Sequence, residues 1–524
     1  MSFRETPAQD SLFKTFDLLP GNRQRQLANG WPCAFAEHVL ALIDEQKFRH
    51  FYHERFGRPN KPIKLVVGVL ILKDMFDLTD EQALGSLSFD LRWHTALNLT
   101  PEEATMCQKT LHNFRTALNA EPELSRSLFN EVTDGLCEKL GLDTSRQRMD
   151  STQIMSNIAK LTRIGLFCET IRKFLRQMRK RHSEAYEQIP GSLIGRYLKD
   201  DGHASCYEDV RGSELNRRLG VAARDVWRLL DRFRGDEKVT RTQAYKLLEQ
   251  LFEEQCEVTD EPARPKGDDP DAGEPPVAVG VKPAKEVGRD SLQSPHDPDA
   301  TYSARKGKGY EVQVVETLGN KSEDDPEKPE MITHVSVSEV CGSDSAAVKP
   351  ALDDLEERDR SPEQMTADTA YTGTENVMAA EDRGTDLVGP VAGSPKLPAT
   401  DEVTVGQFTV DLEDASLSAC PGGSVALEQL EPPGTDRIEV TFDGEVCEGC
   451  SLQEKCPARR DKRTGHRTLK TTRYELKLSQ RKRRQTTAAF REIYNHRAGI
   501  EATNSECKRA HGLGKLRVRE RAAV

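Results

Sequence analysis

The chain of 524 residues has no apolar run long enough to cross a bilayer. Its most apolar window, Leu65–Leu72 (LVVGVLIL), is far shorter than the ~20 residues a spanning helix needs. The opening residues, MSFRETPAQDSLFKTF, lack the basic start and apolar stretch of a secretory leader. Both absences predict a cytoplasmic protein with no membrane partner. Cysteine is scarce, at 12 residues, which excludes a disulfide scaffold in a chain of this size. Eight cysteines are scattered singly (Cys33, Cys107, Cys137, Cys168, Cys206, Cys256, Cys341 and Cys507) and read as small buried thiols. Positive charge is also in deficit: 75 Lys and Arg stand against 86 Asp and Glu, a net charge of −11. A uniformly acidic surface would repel nucleic acid, but the charge is segregated. Acids dominate between Glu257 and Asp299, whereas from Arg459 to Arg521 bases outnumber acids roughly three to one. A basic end of this kind can hold phosphates despite the net charge.

Hydrophobic periodicity predicts helices over the first 145 or so residues. IKLVVGVLILKDMF has the content of a buried helix. Thr79 and Gln82 have capping-box spacing ahead of the next one. QKTLHNFRTAL adds a third, and short helices of this kind suit a helix-turn-helix-like module or a small bundle. RQRMDSTQIM then changes to a period of two, with Met149, Ser151, Gln153 and Met155 alternating with Asp150, Thr152 and Ile154. An acid inside such a run is unusual, because Asp is depleted in strands; the plain reading is an edge or strand-end Asp facing solvent. Helical periodicity returns from 160 to 256. Ala222, Val226, Leu229, Leu230 and Phe233 form one stripe, and Thr240 and Gln243 offer a second capping box. Residues 257–296, rich in Pro, Gly and acid, read as a linker. Beyond it the expected order is strand (Val312, Val314), strand (MITHVSVSEV), helix, a short strand ending in Asp368, helix, and a last strand (TDLVGPV). With the Asp150 strand this makes an α/β sheet of mixed direction.

Loops at strand ends gather distant residues into one crevice in such sheets. Asp150, Asp368 and a C-terminal Glu501 are candidates to share one. Three converging carboxylates repel one another unless cations lie among them. Hard oxygen ligands select Mg²⁺ or Mn²⁺, and two such ions suit in-line displacement at a phosphodiester. The stretch YNHRAGIEATNSECK strengthens the case. At 100° per residue on one helix, Arg497, Glu501 and Lys508 fall within roughly 40° of one another, with Tyr494 flanking. An ordinary Arg–Glu pair four apart explains Arg497 and Glu501. It leaves Lys508 and Tyr494 unaccounted for, whereas a carboxylate flanked by two cations fits a phosphate beside a metal.

Tyr494-x2-Arg497-x3-Glu501-x6-Lys508 resembles the signature of bacterial and archaeal insertion-sequence transposases of the DDE type. MDSTQI around Asp150 resembles their first-Asp motif and TADTAYTG around Asp368 their second, with Ala370 and Tyr371 following. HGLGKLRVR resembles the basic segment after the Glu, and FRHFYHERFGRPNKPIKLVVGVLILKDMF the helical N-terminal domain. The resemblance implies an RNase H-like α/β core over 297–395, entered by a first strand and helical insertion over 146–256. It further implies a helical DNA-binding domain over 1–145, a cysteine-rich and basic insertion over 396–486, and a C-terminal catalytic helix over 487–524. It assigns Mg²⁺ (or Mn²⁺) to Asp150, Asp368 and Glu501, and DNA contact to Tyr494, Arg497 and Lys508. Arg305 and Lys308, just before a strand, join the DNA-contact candidates. The implied partners are double-stranded DNA (terminal inverted repeats and target) and a second copy of the chain, on the nucleoid. An RNase H-like nuclease without strand transfer, and a non-catalytic DNA-binding protein derived from a transposase, remain open.

The other four cysteines lie within about 40 residues: Cys420, Cys447, Cys450 and Cys456. Cys447-x2-Cys450 is knuckle spacing for tetrahedral Zn²⁺, and Cys420 and Cys456 would complete the set, with His466 a substitute ligand. A redox pair and reduced structural thiols are the alternatives. The segment ARRDKRTGHRTLKTTRYELKLSQRKRRQ that follows is either a solvated basic face or a set of phosphate contacts.

Overall fold

The computed structural model describes residues 1–6, 13–158, 161–198, 212–259, 278–319, 328–392, 403–410, 417–432 and 435–523. Among them no helix is long and apolar enough to cross a membrane.

The N-terminal residues form helices, as their periodicity predicts. α1 (Ile63–Met75) is apolar nearly all round and central: Ile63, Leu65, Val66, Val67, Val69 and Leu72 are all buried. α2 (Asp80–Phe89) starts at the foreseen capping box, with Thr79 and Gln82 each accepting from the other's backbone N–H. α3 (Gln108–Asn119) adds Leu111 and Phe114 to the same core. α4 (Pro122–Leu140) leads out of it and stops at Gly141, whose φ of +57° is cheap for glycine.

β1 (Arg146–Met155) follows, then a helical insertion with a core of its own. α5 (Arg163–Arg181), α6 (Gly212–Phe233) and α7 (Gln243–Gln255) bring Phe174, Phe233 and Tyr245 together. The Thr240–Gln243 capping box is not what forms. Asp236 caps a short helix, Glu237–Thr240, that already contains Thr240, and Thr242 caps α7 by accepting from the Tyr245 N–H. The acidic linker also ends earlier than its composition indicates. Residues 260–277 lie outside those described, but Ala278–Val281 pairs with Cys256–Thr259, and Leu292, Ser291, Ser294 and Asp297 are buried.

The central sheet takes its remaining strands from β2 (Gly307–Thr317), β3 (Ile332–Glu339), β4 (Gln364–Ala367) and β5 (Asp386–Val388). Helices α8 (Val348–Glu357) and α9 (Thr374–Glu381) connect the later ones. The order across the sheet is β3-β2-β1-β4-β5. β2 is antiparallel to both its neighbours, while β1, β4 and β5 are parallel. A short strand, Thr301–Ser303, pairs with the start of β2. The fold is therefore mixed α/β. One face of the sheet packs Met149 and Val315 against α8 and α9. The other packs Ile154, Val312 and Val314 against the C-terminal helix through Ile500.

Between β5 and the C-terminal helices lies a small lobe with a four-stranded antiparallel sheet, Ala426–Leu430, Arg437–Phe442, Arg467–Thr472 and Arg459–Arg460 in that spatial order. Its core holds Phe408, Ile438, Val440, Phe442 and Leu469, with Cys420, Cys447 and Cys456 packed against it. α10 (Arg473–Arg484) returns to the sheet, followed by α11 (Ala488–Asn495) and α12 (Gly499–Ala510). The stretch from Tyr494 to Lys508 is thus not one regular helix. A 3-10 turn, His496–Ala498, tightens its middle. Beyond α12 the chain is a strap rather than helix: Leu516 N–H donates to Met155 O, Arg517 pairs with Asp77 at 2.9 Å, and Glu520 N–H reaches Asp297.

Candidate functional site

The site begins with a register. β1 and β4 run parallel, and their last pair is Met149 with Ala367. The next residue in each chain is an aspartate, Asp150 and Asp368. Neighbouring parallel strands lie ~4.8 Å apart, so the two carboxylates leave the sheet side by side where the ladder ends. Asp150 is neither at an edge nor turned to solvent. It sits on a central strand opposite Val314 of β2, with a side chain 16% exposed. Asp368 starts a tight turn. Its Oδ1 accepts from Ala370 N–H at 2.7 Å, and its carbonyl accepts from Tyr371 and Thr372.

The signature residues close over this pair from the C-terminal side. Arg497, on the 3-10 turn, lies between acids: Nη1 is 3.4 Å from Asp150 Oδ2, and Nη2 pairs with Glu501 Oε1. Tyr494 stacks on Phe490, ring centroids 5.6 Å apart, and its phenol lies near the Arg497 guanidinium. Burial dominates the electrostatics and holds the Asp150 carboxyl above its usual range. The Ser151 backbone N–H and Arg497 pull it down; the charges of Asp368 and Glu501 push it up. Burial likewise raises the Tyr494 phenol. Asp150, Asp368, Glu501, Arg497 and Tyr494 are thus brought together. Lys508 is seven residues beyond Glu501, ~10 Å along α12, and exposed.

Arg305 and Lys308 do not join them. Arg305 lies in the turn into β2 and Lys308 in the first residues of that strand, where the next residue, Gly309, lies opposite Met155, five residues or ~16 Å of strand from Asp150. Arg305 is exposed; the Lys308 ammonium, lowered by burial, reaches Leu161 O at 3.4 Å.

Behind Asp150, on the opposite face of the sheet, lies a polar cluster that motif reading missed. Ser151 Oγ donates to Glu311 Oε1 at 2.8 Å and lies 3.2 Å from Asp344 Oδ1. Lys306 pairs with Glu311, and Tyr371 OH donates to Gln313 Oε1 at 2.6 Å. Glu311, Gln313 and Tyr371 are each 1% exposed. The signal was present in β2 as Glu311 and Gln313 alternating with valines, and in the aromatic residue three positions after Asp368.

Cys420, Cys447, Cys450 and Cys456 line one cavity of about 20 Å³. Ser424 N–H approaches Cys420 Sγ at 3.3 Å and Leu452 N–H approaches Cys450 Sγ at 3.4 Å. Four cysteine sulfurs lining one small cavity are the donor type that zinc selects. His466 is occupied otherwise: its Nδ1 accepts from Gly444 N–H. Among the described residues no group of three His, Cys, Asp or Glu side chains is in place to hold an ion, either here or at the carboxylates. Of the single cysteines, Cys137, Cys168 and Cys256 are buried as expected. Cys33, Cys341 and Cys507 are half-buried, Cys107 is exposed, and Cys206 lies outside the described residues.

The basic stretch is partly neutralised within the fold. Lys477 pairs with Glu381, Arg484 with Asp386, Lys470 with Glu439, Arg473 with Glu431 and Arg460 with Glu448. Arg459, Lys462 and Arg463 stay exposed and have no ion pair among the described residues.

Residues 24–117, most of the N-terminal helical core, match a family model described as "Transposase domain (DUF772)". Residues 420–524, from Cys420 through Glu501 and Lys508, match one described as "Transposase DDE domain". No curated protein and no solved structure matches the chain.

Proposed function

We propose that this chain is an insertion-sequence DDE transposase that binds terminal inverted repeats, cleaves the element ends and joins them to target DNA. One observation carries the reading: the β1–β4 register ends on two adjacent aspartates, and Arg497 links Asp150 to Glu501 from the segment that matches a transposase DDE domain. The strand order, with the second strand antiparallel to the rest, supports an RNase H-like core.

Asp150, Asp368 and Glu501 would hold Mg²⁺ or Mn²⁺. Carboxylate oxygens are the hard donors such ions select, and Glu501 would have to leave Arg497 to join the two aspartates. When bound, the metal activates an attacking oxygen and neutralises charge on a leaving one. Arg497, already against two of these acids, offers its remaining N–H donors to a phosphate of the bound end. Tyr494, beside Arg497, and Lys508, farther along α12, would add contacts to the same DNA strand. Target DNA and a second copy of the chain would complete the complex.

The test is cleavage and joining of a terminal-repeat duplex with Mg²⁺. Asp368→Ala is expected to bind the duplex and leave it intact; full cleavage by that variant would sink the assignment. Cleaved ends without joined products would favour a nuclease. Sequence-specific binding with no cleavage by the wild type would favour a DNA-binding derivative.

Lys508→Ala should weaken binding alike on all sequences. The slope of log K against log salt should become shallower by about 0.9, one phosphate contact fewer; an unchanged slope removes Lys508 from the interface. The cysteine lobe would bind one structural Zn²⁺ through Cys420, Cys447, Cys450 and Cys456. Metal analysis should find one zinc per chain, and Cys450→Ser should lose it together with protection of the lobe from proteolysis. A metal-free lobe that is equally protected would assign the thiols to packing alone.

A further inference from the structure

Two residues before Asp150, on the same face of β1, lies an arginine to which the reading above gives no role. Arg148 is 4% exposed. Its Nε donates to Glu316 Oε1 on β2 at 2.6 Å, Nη2 bonds to Glu330 Oε2, and Nη1 donates to the backbone carbonyl of His496 at 2.9 Å. His496 opens the turn that carries Arg497. A Cβ at Gly499 would overlap Nη1, Cζ and Nη2 of the same guanidinium, which therefore lies flat on the backbone where α12 begins. Gly499 has φ −62° and ψ −34°, a helical conformation open to any residue, so what it supplies here is space.

We infer that Arg148 is a positioning residue: clasped on Gly499 and the His496 carbonyl, it fixes where Arg497 and Glu501 stand relative to Asp150. Asp150 and Glu501 are about 350 residues apart in sequence, so only packing brings them together. The apolar contact of Ile500 with Ile154 sets how closely α12 approaches β1 but leaves α12 free to roll. A rigid planar fork bonded in three directions removes that freedom. A lysine would keep the charge and lose the fork.

The inference rests on the proposed transposase chemistry for its kinetic readout, and the experiment separates the two. In the full chain, Gly499→Ala, Arg148→Lys, Arg148→Gln and the double variant Gly499→Ala/Arg148→Gln are compared with wild type. The readouts are kcat and KM for end cleavage, and hydrogen exchange of the 496–503 amides. Alanine favours helix over glycine, yet Gly499→Ala should lower kcat by ~10–100-fold, the effect of a misplacement of about 1 Å. KM for DNA should change by less than about twofold, because the groups that bind it remain. Exchange over 496–503 should quicken, and Arg148→Lys should not restore either property. The double variant should be no worse than Arg148→Gln alone, since the added methyl then has no guanidinium to displace. Additive losses would overturn the inference, as would variants that melt earlier but keep wild-type kcat per folded molecule. If the wild type cleaves nothing, the transposase reading falls. The exchange data across the same four variants then decide the clasp alone: non-additive quickening supports it and additive quickening overturns it.

Discussion

Asp150→Asn is expected to lower the rate of end cleavage by about a thousandfold or more and, near neutral pH, to raise the melting temperature. The loss is of the order seen when a group that stabilises transition-state charge is removed. The gain follows from burial. Asp150 is mostly enclosed, and burial outweighs the pull of the Ser151 N–H and Arg497, so its carboxyl titrates above the ordinary carboxylate range. Between the unfolded value and this raised one, the folded chain holds more protons than the unfolded chain. Stability therefore falls as pH rises through that window, and at neutral pH the whole penalty is present. Asparagine cannot ionise and escapes it. The melting difference between variant and wild type should be largest near pH 7 and shrink as the pH falls through the carboxylate range. Retained cleavage would remove Asp150 from the chemistry. A variant less stable than wild type at pH 7 would show that the Arg497 contact outweighs burial.

Asp225→Ala is expected to cost the helical insertion about 3–5 kcal/mol, the usual range when one member of a buried charged network is deleted. Asp225 is fully buried on α6. It accepts from Arg196 Nε and Nη2 at 3.0 and 3.1 Å, from the Tyr197 hydroxyl at 2.8 Å and from Arg228 Nη1 at 3.2 Å. Its removal takes a shared carboxylate from two half-buried guanidinium groups and from the buried Tyr197 hydroxyl. Native-state hydrogen exchange of α5–α7 reads the lobe separately from the rest. A loss below ~1 kcal/mol would mean that the arginines reach solvent once the acid is gone.

The sequence was most legible where a signal is local. The period of two around Asp150 marked β1, the apolar run marked α1, and Thr79 with Gln82 marked the start of α2. Its errors come from contacts made elsewhere in the chain. Thr240 and Gln243 satisfy a cap pattern, but Asp236 starts a helix earlier and so moves the cap to Thr242. Residues 278–296 are polar in composition, yet Leu292 and Ser294 are buried. Tyr494 to Lys508 has helical spacing throughout, but at His496 a 3-10 turn intervenes, where the carbonyl accepts from Gly499 N–H and from Arg148. The carboxylates and the signature residues were nameable because their residue types are chemically unusual in a strand or on one helix face. Arg148, Glu311 and Gln313 were not: a charged residue in a strand gives no sign, without its partners, of which side it is buried on.

The separation of Asp150 from Glu501 also sets a timetable. During synthesis at ~5–20 residues per second, the strand bearing the first aspartate waits roughly 20–70 seconds for the helix that covers it. Over that interval the Asp150 face of β1 lacks Ile500 above it and the strap from Leu513 to Leu516 beside it. A ribosome-bound chain thus holds the N-terminal helices and the first aspartate long before it holds Glu501.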